Sequence, residues 1–159
     1  MIVVSDTSPI RALANLRQLG LLAGLFGKVV VPSAVARELL DPSRGMAAID
    51  VSQMAFVEVR QAKTIVAATA GLDAGEAEAI SLALELDVRT VLIDELLGRG
   101  VAVSCGLVVT GTLGILLQAK RRGLVPVVMP LVDELRRDWQ FFISEQVRTE
   151  VLRLAGELP

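Results

Sequence analysis

Five short runs of apolar residues punctuate this chain, and they are close to continuous in apolar character: "IVVS" at 2–5, "KVVV" at 28–31, "FVEVR" at 56–60, "TVLI" at 90–93 and "LVV" at 107–109. A strand with one wet face alternates apolar and polar residues. A strand covered on both faces does not need to, so such runs point to a parallel sheet buried between helices. The segments between the runs carry helical patterns. "SPIRALANLRQLG" reads as a helix closed by Gly20, and "PSAVARELL" opens on Pro32 and Ser33, a common helix start. "DAGEAEAISLALEL" is a strong helix, and "GTLGILLQAKRRG" ends in basic residues and Gly123. "PLVDELRRDWQFF" and "SEQVRTEVLRLAGE" complete the chain. This alternation predicts an α/β domain. Its 159 residues suit one domain over 1–159, with the C-terminal helices at 126–157 packing on it or extending it. No repeat or long linker interrupts it, and the loosest stretch is 41–52, where "DPSRG" marks a turn.

The inventory of side chains narrows the chemistry. The chain has no His, no Tyr and one Cys. That excludes a His base, a Ser-His-Asp triad, an imidazole metal site, an internal disulfide and a Cys-rich zinc site. Cys105 sits among apolar residues and reads as a small buried hydrophobe. Ionic catalysis falls to Asp, Glu, Lys or Arg, most naturally with a metal. The net charge of −2 gives no support to nucleic-acid binding through bulk charge, and a local basic rim is still allowed. The N-terminal pattern does not read as a signal peptide, since Asp6 and Arg11 interrupt it and no basic region comes before its apolar residues. The uncharged stretch at 101–119 approaches the length of a membrane span, but its glycines, threonines and Gln118 fit a buried strand, a turn and a helix better.

Two acids stand directly after apolar runs: Asp6 in "VVSDTSPI" and Asp94 in "TVLIDE". In an open parallel sheet, functional groups collect beyond the carboxyl ends of the strands. If these two strands are neighbours, both carboxylates reach one crevice. Each also has a structural reading as a helix N-cap, although Thr7 and Ser8 offer caps closer to Pro9. Glu95 either joins the site or favours the start of a following helix. Asp73 and Glu76 match a capping box, yet Glu76 also heads the apolar stripe through Ile80 and Ala83. Glu78 falls on a more polar side. Glu38 lies on the apolar side of its helix, where a charge needs a partner or a function. Together, Asp6, Glu38, Glu76 and Asp94 would repel: two carboxylates about 4 Å apart cost roughly 4 kcal/mol at an effective dielectric of 20. A divalent cation removes that cost. An all-oxygen set suits Mg²⁺ or Mn²⁺, with phosphodiester hydrolysis by a metal-acidified water as the natural reaction.

The chain resembles PIN-domain proteins of the kind found as VapC-like ribonuclease toxins. The segments that carry the resemblance are "VVSDTSPI", "VVVPSAVARELL", "GEAEAISLALEL", "TVLIDE" with Arg99, "VTGTLGILLQAKRRGL" and "FFISEQVRTEVLRLAGE". They follow one another over almost the whole chain, closest to a PIN subgroup with "GEAEA" and "TGTLG". The resemblance implies a three-layer α/β/α sandwich with a mostly parallel five-stranded sheet. It implies Mg²⁺ or Mn²⁺ held by Asp6, Glu38, Glu76 and Asp94, with Glu95 beside them. Glu76 and Glu95 stand where relatives often carry Asp. The resemblance further implies an RNA substrate, a small antitoxin partner, a homodimer and a cytoplasmic location. Ser8 would orient a ligand or water, or serve as a cap. Arg11 and Arg99 are the nearest candidates to meet RNA, with Arg44 and Lys63 more remote. Lys120, Arg121 and Arg122 read as a solvated helix end. A catalytically weak binding or oligomerisation module is the competing reading, with the Trp139–Phe142 cluster as a groove or as core. A receiver-like phosphoacceptor would need a Lys after a late strand, where Thr110 and Gly111 follow Val109.

Overall fold

A computed structural model describes residues 1–42 and 47–158. The strands are β1 (Ile2–Ser5), β2 (Lys28–Pro32), β3 (Val57–Arg60), β4 (Thr90–Leu92) and β5 (Val108–Thr110). They form one sheet in the order β3-β2-β1-β4-β5, and every pairing is parallel. The helices are α1 (Thr7–Asn15), α2 (Gly20–Phe26), α3 (Ser33–Leu40), α4 (Ala74–Glu85), α5 (Leu96–Ser104), α6 (Thr112–Arg121), α7 (Met129–Asp138) and α8 (Glu145–Leu154). The continuous apolar runs are explained by two cores, one on each face of the sheet. Val3, Val29, Val31 and Leu92 pack with α1, α2, α6, α7 and α8. Val4, Val30, Val91 and Ile93 pack under α4 and α5. The chain is thus an α/β/α sandwich.

Some boundaries differ from the sequence reading. Gly20 opens α2 rather than closing the first helix, which stops at Arg17 with a positive φ of 57°. The uncharged stretch at 101–119 resolves into the end of α5, strand β5 and most of α6. No helix among the described residues is long and apolar enough to cross a membrane. The C-terminal helices share the core of α1, α2 and α6 through Val128, Val132, Leu135, Val151 and Leu152. Buried Glu157 fastens their ends: it pairs with Lys120 at 2.8 Å and accepts from the Val128 and Met129 N–H groups. Arg122 donates to the Leu25 carbonyl, so the basic end of α6 is partly a structural clasp.

Glu78 departs from its expected polar surroundings. It is buried, and its Oε1 accepts from Ser33 Oγ and from the Ala34 N–H, both at 2.8 Å. A carboxylate thus sits on the positive end of α3, the helix that carries Glu38. Replacing Glu78 with Ala leaves those half-buried donors without this acceptor. We expect Glu78→Ala to cost about 1–3 kcal/mol, measured by urea unfolding, and Glu78→Gln to cost less.

Candidate active site

The site forms where β1, α3, α4 and the β4–α5 junction meet at the carboxyl ends of the strands. A cavity of about 300 Å³ opens there, and Asp6, Glu38, Asp73, Glu76 and Glu95 all line it. Asp6 leaves β1 with its N–H still bonded to the Leu92 carbonyl, so the ladder holds its backbone in place. It is the N-cap residue of α1 by position, yet its side chain makes no capping bond. Thr7 Oγ1 donates to Glu38 Oε2 at 2.9 Å, tying α1 to α3. At the head of α4, Asp73 caps the Glu76 N–H at 2.8 Å. The capping box is therefore real, and both of its acids still face the cavity. Asp73 was legible only as a cap. Its place in the cavity follows from where α4 starts.

Gly75 shows how closely the acids approach. A Cβ there would stand 3.2 Å from Asp6 Oδ1, 3.2 Å from Val35 and 3.4 Å from Glu38 Oε2. The absence of a side chain in this first turn of α4 lets two carboxylates lie against the helix. Asp6 is only 4% exposed. Burial, and then the charges of Asp73, Glu76 and Glu38, push its pKa up to about 7, against the Thr7 backbone N–H. Glu76 is also raised, first by burial and then by Asp73 and Glu95.

Asp94 behaves differently. β1 and β4 are neighbours as expected, but in their register Ser5 stands opposite Leu92. Asp94 is therefore one residue out of step with Asp6, and both lie just beyond the ends of their strands. Asp94 does not line the cavity. Its Oδ1 accepts from the Thr112 N–H at 2.7 Å, and its Oδ2 accepts from Thr112 Oγ1 at 2.7 Å and Ser8 Oγ at 2.9 Å. Gly111 makes this possible, since a Cβ there would meet Asp94 Oδ1 at 2.9 Å and Arg99 Nη1 at 2.5 Å. The "TGTLG" segment thus places the start of α6 on Asp94. Ser8 lines the cavity and links Asp94 to it.

The basic candidates are mostly drawn inward. Arg11 lines the cavity but is 8% exposed, with one Nη2 bond to the Glu38 carbonyl at 3.1 Å. Its Nη1 is buried without a hydrogen-bond partner among the described residues. Arg99 donates to the Ile93 carbonyl. Lys63 is exposed on the loop after β3 and outside the cavity. Arg44 lies outside the described residues. Among the described residues that line the cavity, five acids face one guanidinium, an excess of negative charge that works against a phosphate.

A parallel sheet with carboxylates gathered beyond its strand ends and no histidine in the chain is the frame of an acid-lined α/β domain whose donors suit a hard divalent cation. The chain belongs to the PIN-domain family: the family model described as a PIN domain matches residues 2–157. PIN domains are typically metal-dependent nucleases. Neither a curated protein nor a solved structure matches the chain. Among the described residues, no three acids stand close enough together to hold a metal ion as they are placed. The donor chemistry nonetheless fits a hard divalent cation. The donors that line the cavity are carboxylate oxygens, Gly75 leaves room for two of them beside α4, and burial works against Asp6 as an anion.

Burial of Asp6 carries a pH dependence. Between 3.8 and about 7 the folded protein keeps a proton that the unfolded chain has released. Stability without metal therefore falls as pH rises through that window and levels off above it. The loss is on the order of 4 kcal/mol. Thermal melts in EDTA from pH 5 to 8 should show this slope, and Asp6→Asn should flatten most of it.

Proposed function

We propose that this PIN domain is a Mg²⁺- or Mn²⁺-dependent endoribonuclease, the toxin of a toxin–antitoxin pair. The observation that carries the reading is the buried Asp6, surrounded by Asp73, Glu76 and Glu38, all of which raise its pKa. Burial and mutual repulsion disfavour such a cluster as anions, and a cation among them would relieve both. Asp6, Glu38, Glu76 and Glu95 would hold it. Asp94, held by Thr112, would fix the Ser8 hydroxyl that borders the cavity. Bound there, the metal supplies a Lewis acid for a phosphoryl oxygen and a water acidic enough to attack near neutral pH. The chain's own part is to keep the carboxylates converged, to present Ser8 to a ligand or water, and to place Arg11 behind the site as a fixed positive charge. A small antitoxin partner finds apolar surface at the rim, where Leu96 and Leu97 are 85% and 65% exposed and Phe142 is 92% exposed. These same faces would serve a homodimer.

One observation favours the competing reading of a catalytically weak binding module: no ready-made group of three acids is present among the described residues. The two readings separate in one assay. With a mixed RNA pool, we expect cutting in Mg²⁺ or Mn²⁺, none in EDTA, and a loss of at least about 100-fold in Asp6→Asn. Cutting that survives both EDTA and the substitution overturns the metal mechanism. No cutting of any RNA, together with a melting temperature unmoved by either metal, favours the binding module.

A further inference from the structure

The cavity has a second wall that the carboxylate chemistry does not use. Asn15 at the end of α1, and Trp139, Gln140 and Phe141 just beyond α7, line it along with the acids. This wall carries no acid. It offers two aromatic rings and two carboxamides, and neither amide has a hydrogen-bond partner among the described residues. Trp139 is tethered through its indole N–H to Glu134 at 3.1 Å and stays 38% exposed. Phe141 packs partly on the core.

Gln140 adds a backbone argument. α7 ends with Gln140 at a φ of 55°, and the Phe141 N–H returns to the Leu135 carbonyl. This is the left-handed helix stop that glycine fills most easily. α5, α6 and α8 end on Gly106, Gly123 and Gly156 with positive φ, whereas α1, α4 and α7 end on Arg17, Asp87 and Gln140, and of these three only Gln140 lines the cavity. A strained residue that lines a cavity is a sign of use.

We infer that Asn15, Trp139, Gln140 and Phe141 form a subsite for one unpaired nucleobase of the RNA, next to the phosphate at the acids. This deepens the ribonuclease reading and rests on it. Aromatic rings stack on a base face of any sequence, while amides that both donate and accept discriminate among base edges. The volume suits a single nucleotide rather than a duplex. The enzyme would therefore cut single-stranded RNA with a preference at one position beside the cut.

Trp139 is the chain's one tryptophan and reports directly. The probes are the four uncharged nucleosides, which the acids do not repel. We expect saturable quenching of Trp139 fluorescence without metal, with a spread of about tenfold in affinity between the best and worst base. Asn15→Ala and Gln140→Gly should flatten that spread and the base preference in mapped cuts. Gln140→Gly should keep or raise the melting temperature, since glycine relaxes the helix stop. RNA cutting without base preference and without quenching removes the subsite and leaves the nuclease standing. Selective quenching without any cutting removes the nuclease reading and leaves a nucleotide-binding pocket. Quenching unchanged in both variants overturns the assignment.

Discussion

Asp6 ends a buried strand, and the strand's backbone pairing continues through it. Its carboxylate is fixed near α4 before any ligand arrives, in little water and beside three other acids. The rest of the site is arranged around that unfavourable placement. Thr7 ties Glu38 down, Gly75 leaves room, and Asp73 stiffens the helix start under Glu76. Parallel strands make this cheap in one respect. Every chain crossover returns to the same edge, so acids from distant segments gather there without extra loops.

The register of two strands divides the labour among the acids. Asp6 and Asp94 stand one residue out of step, and one lines the cavity while the other binds the start of α6. Asp94 there stabilises a helix end by a charge-assisted bond, and it holds Ser8 in place. A residue in this position is structural in its own contacts and still tied to the site through one hydroxyl.

The cavity joins two kinds of surface with different chemistry. Its acid side attracts cations and repels phosphates. Its amide and aromatic side is neutral. On the proposed reading, a polyanionic strand would be accommodated between them once a cation neutralised the first side. Recognition would then be coupled to metal loading through charge alone.

Much of the architecture was legible in the residues. The unalternating strands, the acids after β1 and β4, the lack of histidine and the capping box in "DAGE" all follow from local pattern. Local pattern placed Gly20 wrongly because Arg17 adopts the left-handed stop that glycine usually takes. Glu78 looked solvated because helical spacing says nothing of which helix start will meet it. Asp73 and the 139–141 wall read as a cap and as a groove or core, since their shared cavity depends on how α1, α4 and α7 pack. The sequence alone determined which chemistry is available, because side-chain type sets it. Tertiary structure decided which acids share a cavity and which one turns away, because strand register and helix packing are set by long-range contacts that spacing along the chain does not contain.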